Sequence, residues 1–132
     1  LLLQGRVEYA LLHYASRALY GSLLDAGVEI YEYHKSFLHA KVAVIDRRWA
    51  TVGSSNIDPF SLMLAREANV VVDDRVFSQE LRGSLYDHMR DGAKVVAKGA
   101  WHHQPLWRRF VIWSAYGCAR LVMGLVGYGG KR

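Results

Sequence analysis

The chain has 132 residues, 52% of them hydrophobic, and carries a net charge of +5. That length supports one compact domain with a real core, and the charge suits an anionic partner: nucleic acid, an acidic membrane or a phosphorylated substrate. The single cysteine, Cys118, excludes an internal disulfide and a zinc site built on cysteines, and it fits a cytosolic or cytosol-facing location.

Leu1 to Leu3 read as a short buried strand. With no signal peptide and no initiator Met, the chain reads as a piece entered mid-domain. Steps of three and four predict a helix from Glu8 to Ala26 that buries Leu11, Ala15, Ala18, Leu19 and Leu23, with Gly27 ending it. Val28 to Tyr33 alternates apolar and acidic residues, as a strand does. Leu38 to Ile45, Trp49 to Val52 and Ala68 to Val72 are further strands, the first two joined by a turn at Asp46-Arg47-Arg48. Asp74 is placed to cap a second long helix, with Phe77, Leu81, Leu85, Met89 and then Val96 on its apolar face. Strands interleaved with helices predict an α/β sandwich over residues 1–98: a mixed β-sheet flanked by helices.

Residues 99–132 form a separate, Trp/Arg-rich apolar tail. Phe110 to Tyr128 holds one charge, Arg120, and as a helix would reach about 28 Å. Arg120 and the glycines at 117, 124 and 127 weigh against a membrane span. Trp101, Trp107 and Trp113 near the start, with Arg108, Arg109, Lys131 and Arg132 flanking, suit an interface with anionic lipid headgroups. The tail is therefore expected to be a membrane-associating helix lying at the surface. A core helix packed against the missing half of the protein ranks next, and a span last.

The chemistry concentrates between Phe37 and Pro59, FLHAKVAVIDRRWATVGSSNIDP. On a strand, Leu38, Ala40, Val42 and Val44 would face the core, and His39 and Lys41 would project together from the other face. Such a pair suits phosphodiester chemistry. The ammonium holds phosphate oxygens and stabilises charge that grows in the transition state. The imidazole serves as nucleophile or general acid near neutral pH. Gly53-Ser54-Ser55-Asn56 adds close backbone approach and polar donors. A lone His and Lys on a strand are ordinary surface residues, and a lone GSSN is an ordinary turn. The conjunction H-x-K-x4-D followed by G-S-x-N, in this order and spacing, is far more specific.

His39-Ala40-Lys41 with Asp46, then Gly53-Ser54-Ser55-Asn56, resembles the signature of the phospholipase D superfamily. The wider run SFLHAKVAVIDRRWATVGSSNIDPFSLMLAREANVVV, and its flanks over roughly residues 1–98, resemble the C-terminal half of bacterial cardiolipin synthases. The resemblance implies a phospholipase D-like α/β sandwich half-domain followed by an apolar helix. It implies that two H-x-K motifs share one active site. One histidine attacks phosphorus to form a phosphohistidine; the other protonates the leaving alcohol and then activates the acceptor hydroxyl. His39 matches the second role. Lys41 and Asn56 match phosphate-binding residues, and Ser54 supports them. Glu67 matches the carboxylate that orients the histidine, and Asp46 matches a motif aspartate of mainly structural use. No cofactor and no metal are implied, because cationic side chains neutralise the phosphate.

The expected partners are phospholipid substrates (phosphatidylglycerol, with phosphatidylethanolamine as an alternative donor), a membrane surface, and a second motif. That motif would come from an upstream half-domain or from another copy in a homodimer. The expected location is the cytosolic side of the bacterial inner membrane, peripheral or tail-anchored. Two rivals remain: a homodimeric phosphodiesterase or nuclease using the same residues, although nothing reads as a nucleic-acid-binding motif, and a non-catalytic membrane-binding fragment.

Overall fold

The computed structural model describes residues 1–7, 9–55 and 66–129. In chain order these form β1 (Leu2–Gln4), α1 (Ala10–Arg17), α2 (Tyr20–Asp25), β2 (Tyr31–Tyr33), β3 (Lys41–Ile45), β4 (Trp49–Gly53) and β5 (Asn69–Asp73). There follow α3 (Arg75–Gly92), β6 (Ala93–Val95), α4 (Lys98–His102) and α5 (Leu106–Gly129).

The strands make two three-stranded sheets, β1-β2-β6 and β3-β4-β5. β1 pairs with β2 in parallel, so the chain needs a crossover, and α1 and α2 supply it. β6 closes the first sheet antiparallel to β2. The core lies between this sheet and the crossover: Tyr20, Leu24 and the fully buried Ile30, backed by Leu3, Leu23, Val28, Val96 and Trp101. Each large apolar side chain buried there contributes about 1.5–3 kcal/mol.

The second sheet is an antiparallel meander. Asp46 (φ 52°) and Arg47 (φ 56°) make the turn between β3 and β4, and the Arg48 N–H closes it on the Ile45 carbonyl at 3.1 Å. Both residues are left-handed, which a hairpin turn of this hand demands and which aspartate tolerates better than most side chains. Alternation along β3 leaves Ala43 and Ile45 exposed on one face and half-buries Val42 and Val44 on the other. On the inner face Ala50 of β4 is buried, and α3 covers it.

α3 begins where predicted, and the Asp74 carboxylate accepts a hydrogen bond from the Phe77 N–H at 2.7 Å. The carbonyl of Arg48 takes the Asp74 N–H at 3.1 Å and the hydroxyl of buried Ser78 at 2.7 Å, which pins the helix start to the hairpin. α3 touches strands of both sheets and so ties them together. α5 packs along α1, and Ala15, Ile112 and Ala119 are buried.

Three elements differ from expectation. The predicted helix over residues 8–26 is broken: Ala18 and Leu19 donate to Ala15 and Ser16 in tight i→i+3 bonds of 3.2 Å, and the chain changes direction. Beyond that break α2 buries Tyr20 and Leu24, while Leu19 stays exposed. The strand expected from Leu38 starts at Lys41, so His39 sits on the segment leading into it. Residues 93–95, expected to trail the second helix, form the strand β6.

Candidate active site

His39 and Lys41 converge, with Lys41 Nζ 2.7 Å from His39 Nε2. The lysine ammonium has only protons to give, so it is the donor in this contact and the ring nitrogen the acceptor. His39 is exposed and Lys41 half-buried, so the pair opens to solvent and an arriving oxyanion can reach both groups.

Strand register brings the other half of the motif to the same place. Lys41 pairs with Gly53 across β3 and β4, and Gly53 pairs with Asn69 across β4 and β5. Lys41, Gly53 and Asn69 thus form a row across one end of the sheet. Gly53 is required there, because a Cβ would run into the Asn69 amide and the Ala68 carbonyl. Ser54 follows directly. Its N–H donates to the Ala68 carbonyl at 3.0 Å, and its hydroxyl accepts from the Ala68 N–H at 3.1 Å. Asn69 steadies the next residue, with Nδ2 donating to Ser55 Oγ at 2.6 Å.

Glu67 lies half-buried beside this row, one residue from Ala68. Among the described residues no hydrogen bond joins it to His39, whose Nε2 is held by Lys41 instead. Asp46 stands just past the far end of β3, about 16 Å along the chain from Lys41 at ~3.3 Å per residue. It shapes the turn and does not reach the His39–Lys41 pair. The phosphate-binding expectation for Asn56 falls outside the described residues.

Two residues not singled out in the sequence matter to the geometry. Asn69 is one. The other is Arg6, on the loop after β1. Its guanidinium donates to the carbonyls of His34 (2.8 Å) and Lys35 (2.9 Å) and lies 5.7 Å over the ring of Phe37. It therefore grips the segment that carries His39. Neither residue stands in a periodic pattern or a dense motif. The only available signal for Asn69 was its place two residues after Glu67.

Beneath this segment lies a polar cluster. Arg17 and Glu32 pair at 2.6 Å with little exposure, and His34 approaches the same carboxylate at 3.7 Å. Burial holds the Tyr20 phenol well above its ordinary value, helped by Glu32. His13 is pushed below 6.5, first by burial and then by the Arg17 charge. At the hairpin, Arg48 grips Asp73 through two contacts of 2.5 and 2.8 Å and draws that carboxyl below its ordinary value. Among the described residues no three His, Cys, Asp or Glu side chains gather closely enough to hold a metal ion.

The arrangement can therefore bind an oxyanion between an ammonium and an imidazole, with backbone and hydroxyl groups alongside. The chain is 38% identical over 128 residues to cardiolipin synthase B of Salmonella typhi, covering 97% of this chain and 31% of that protein. It is 48% identical over 85 residues to cardiolipin synthase B of Escherichia coli K12, covering 64% and 21%. It is 36% identical over 101 residues to cardiolipin synthase A of Buchnera aphidicola, covering 76% and 21%. The chain thus spans less than a third of the length of these curated relatives. No solved structure matches it. A family model described as "Cardiolipin synthase, PLD-like domain" matches residues 1–89, and the chain belongs to that family.

Proposed function

We propose that this chain supplies one half of the active site of a phosphatidyltransferase that makes cardiolipin. The carrying observation is the 2.7 Å approach of Lys41 Nζ to His39 Nε2, beside the Gly53-Ser54 backbone in strand register. A second histidine, from another H-x-K motif, attacks phosphorus of the donor phospholipid. The bond from phosphorus to the leaving alcohol breaks, and His39 gives that oxygen a proton. The phosphatidyl group now rests on the second histidine. His39 then takes a proton from a hydroxyl of phosphatidylglycerol, whose oxygen attacks phosphorus and frees the second histidine. Lys41 and Asn56 hold the non-bridging oxygens, Ser54 supports them, and Glu67 orients His39 in the complete site.

The second motif comes from an upstream half-domain or from another copy of the chain. The donor is phosphatidylglycerol or phosphatidylethanolamine. The work is done at the cytosolic face of the bacterial inner membrane. Among the described residues no helix is long and apolar enough to cross a membrane, so attachment through the surface of α5 is the form we favour.

The test is His39→Ala in the intact protein. Cardiolipin formation from phosphatidylglycerol should fall by at least about 100-fold, the lower range for loss of a positioned acid. Retained activity in this variant would refute the assignment. Hydrolysis of DNA by the wild type, with none of phosphatidylglycerol, would instead support the nuclease reading.

A further inference from the structure

A second polar site lies away from the motif. A cleft of about 220 Å³ opens between α2, α4 and the first turns of α5. It sits by Asp25, just before the chain enters β2, whereas His39 follows the other end of that strand. The indoles of Trp101 and Trp113, the guanidinium of Arg109 and the amide of Gln104 line it together with Asp25 and His102.

The charges are unevenly satisfied. Asp25 Oδ1 already receives Lys98 Nζ at 2.8 Å and His102 Nε2 at 3.2 Å. Arg109 makes no ion pair among the described residues, so the cleft keeps an uncommitted cation. The vacant demands are therefore an anion for Arg109 and carbon-bound hydrogens to lie against the indoles.

Next to the cleft, α5 turns an unpartnered apolar surface outward. Leu106 is 79% exposed and Phe110 74%. At about 100° per residue, these two residues lie between about 20° and 100° around the helix from Arg109 and Trp113. Trp107 lies further round and is also exposed. An anion-seeking cleft bordered by exposed apolar side chains matches a molecule with a phosphate headgroup and acyl chains.

We propose that this cleft binds the headgroup of an anionic glycerophospholipid in a bilayer. Arg109 takes the phosphate, and Leu106 and Phe110 enter the acyl boundary. The proposal rests on reading α5 as a membrane-surface helix, and it is independent of the chemistry at His39.

The experiment is co-sedimentation of the intact protein with vesicles of phosphatidylcholine, alone or mixed with phosphatidylglycerol, comparing Arg109→Lys with Arg108→Lys. Both variants keep the charge, so general attraction to an anionic surface is unchanged. Only a planar guanidinium seated on phosphate is sensitive to the exchange. Arg109→Lys should weaken binding to the mixed vesicles about tenfold or more, the lower end for one charge-assisted hydrogen bond, and Arg108→Lys should not. Equal affinity of the two variants would overturn the cleft as a lipid site while leaving membrane attachment intact. No binding of the wild type to mixed vesicles would overturn both. Quenching of tryptophan fluorescence by inorganic phosphate or glycerol phosphate, without vesicle binding, would point to a soluble phosphate ligand and overturn the lipid assignment.

Discussion

Lys41 and His39 occupy each other when no phosphate lies between them. The lone pair on His39 Nε2 is committed to the ammonium, so an acylating reagent meets a nitrogen that must first be released. Lys41→Met should speed modification of His39 by diethyl pyrocarbonate about fivefold, the worth of a hydrogen bond near 1 kcal/mol. Site-resolved mass spectrometry reads this directly; an unchanged rate would mean the contact does not persist in solution. Arg6 acts one step removed, through the backbone of His34 and Lys35. Arg6→Ala should lower kcat for phosphatidyl transfer about tenfold with KM little changed, since it loosens the segment and removes no group from the phosphate. A shift confined to KM would contradict a positioning role. His13 gives a pH signature. Its folded-state pKa is depressed by burial and by Arg17, so the folded state resists its protonation. The associated stability is present above the unfolded pKa of about 6.5 and is lost as pH falls below it. Denaturant midpoints at pH 7.5 and ~5.5 should therefore converge in His13→Gln relative to the wild type.

Among the elements, α3 was the most legible, because cap and periodicity agree: Asp74 accepts from Phe77, and Arg75–Gly92 is helical. Asp74→Ala should cost about 1 kcal/mol in urea unfolding, the usual value of an N-cap, and no loss would mean that water replaces the cap. Gly27 ends the crossover with φ +82°, a left-handed position that glycine signals in advance. The break at Ala18–Leu19 could not be read. Neither residue breaks a helix by propensity; packing of Tyr20 and Leu24 on the first sheet decides the bend. β6 was hidden for a related reason. Met89 and Val96 stand seven residues apart, as on a helix face, while the pairing of Ala93–Val95 with Tyr31–Tyr33 is a long-range fact. The start of α5 was within reach, because Pro105 immediately precedes Leu106 and its carbonyl receives the Arg108 N–H at 3.0 Å. The convergence of His39, Lys41 and Gly53-Ser54 was readable from motif order. Asn69 and Arg6 act through contacts that only the folded chain creates.

At the scale of the whole molecule, the second sheet is sheltered on one face around Ala50, although Val70 on that face is 65% exposed, and its other face is bare. α3 covers Ala50, while Ile45, Trp49 and Val71 are 55%, 41% and 62% exposed. Lys41 belongs to the bare face by alternation. The 132 residues expressed alone as a monomer should therefore show no phosphatidyl transfer, for want of the second histidine. Robust turnover by a monomer, verified by light scattering during the assay, would defeat the two-motif reading. The strand order β3-β4-β5 has a further consequence. Both outer strands offer a row of amide and carbonyl groups without a neighbouring strand among the described residues. Such rims invite strand addition from any other chain. Valine-rich β5, with Val70, Val71 and Val72 in succession, has the composition that fibril-forming segments share. Concentrated solutions of the isolated chain are accordingly expected to drift toward thioflavin-positive assemblies, and Val71→Lys should slow that drift.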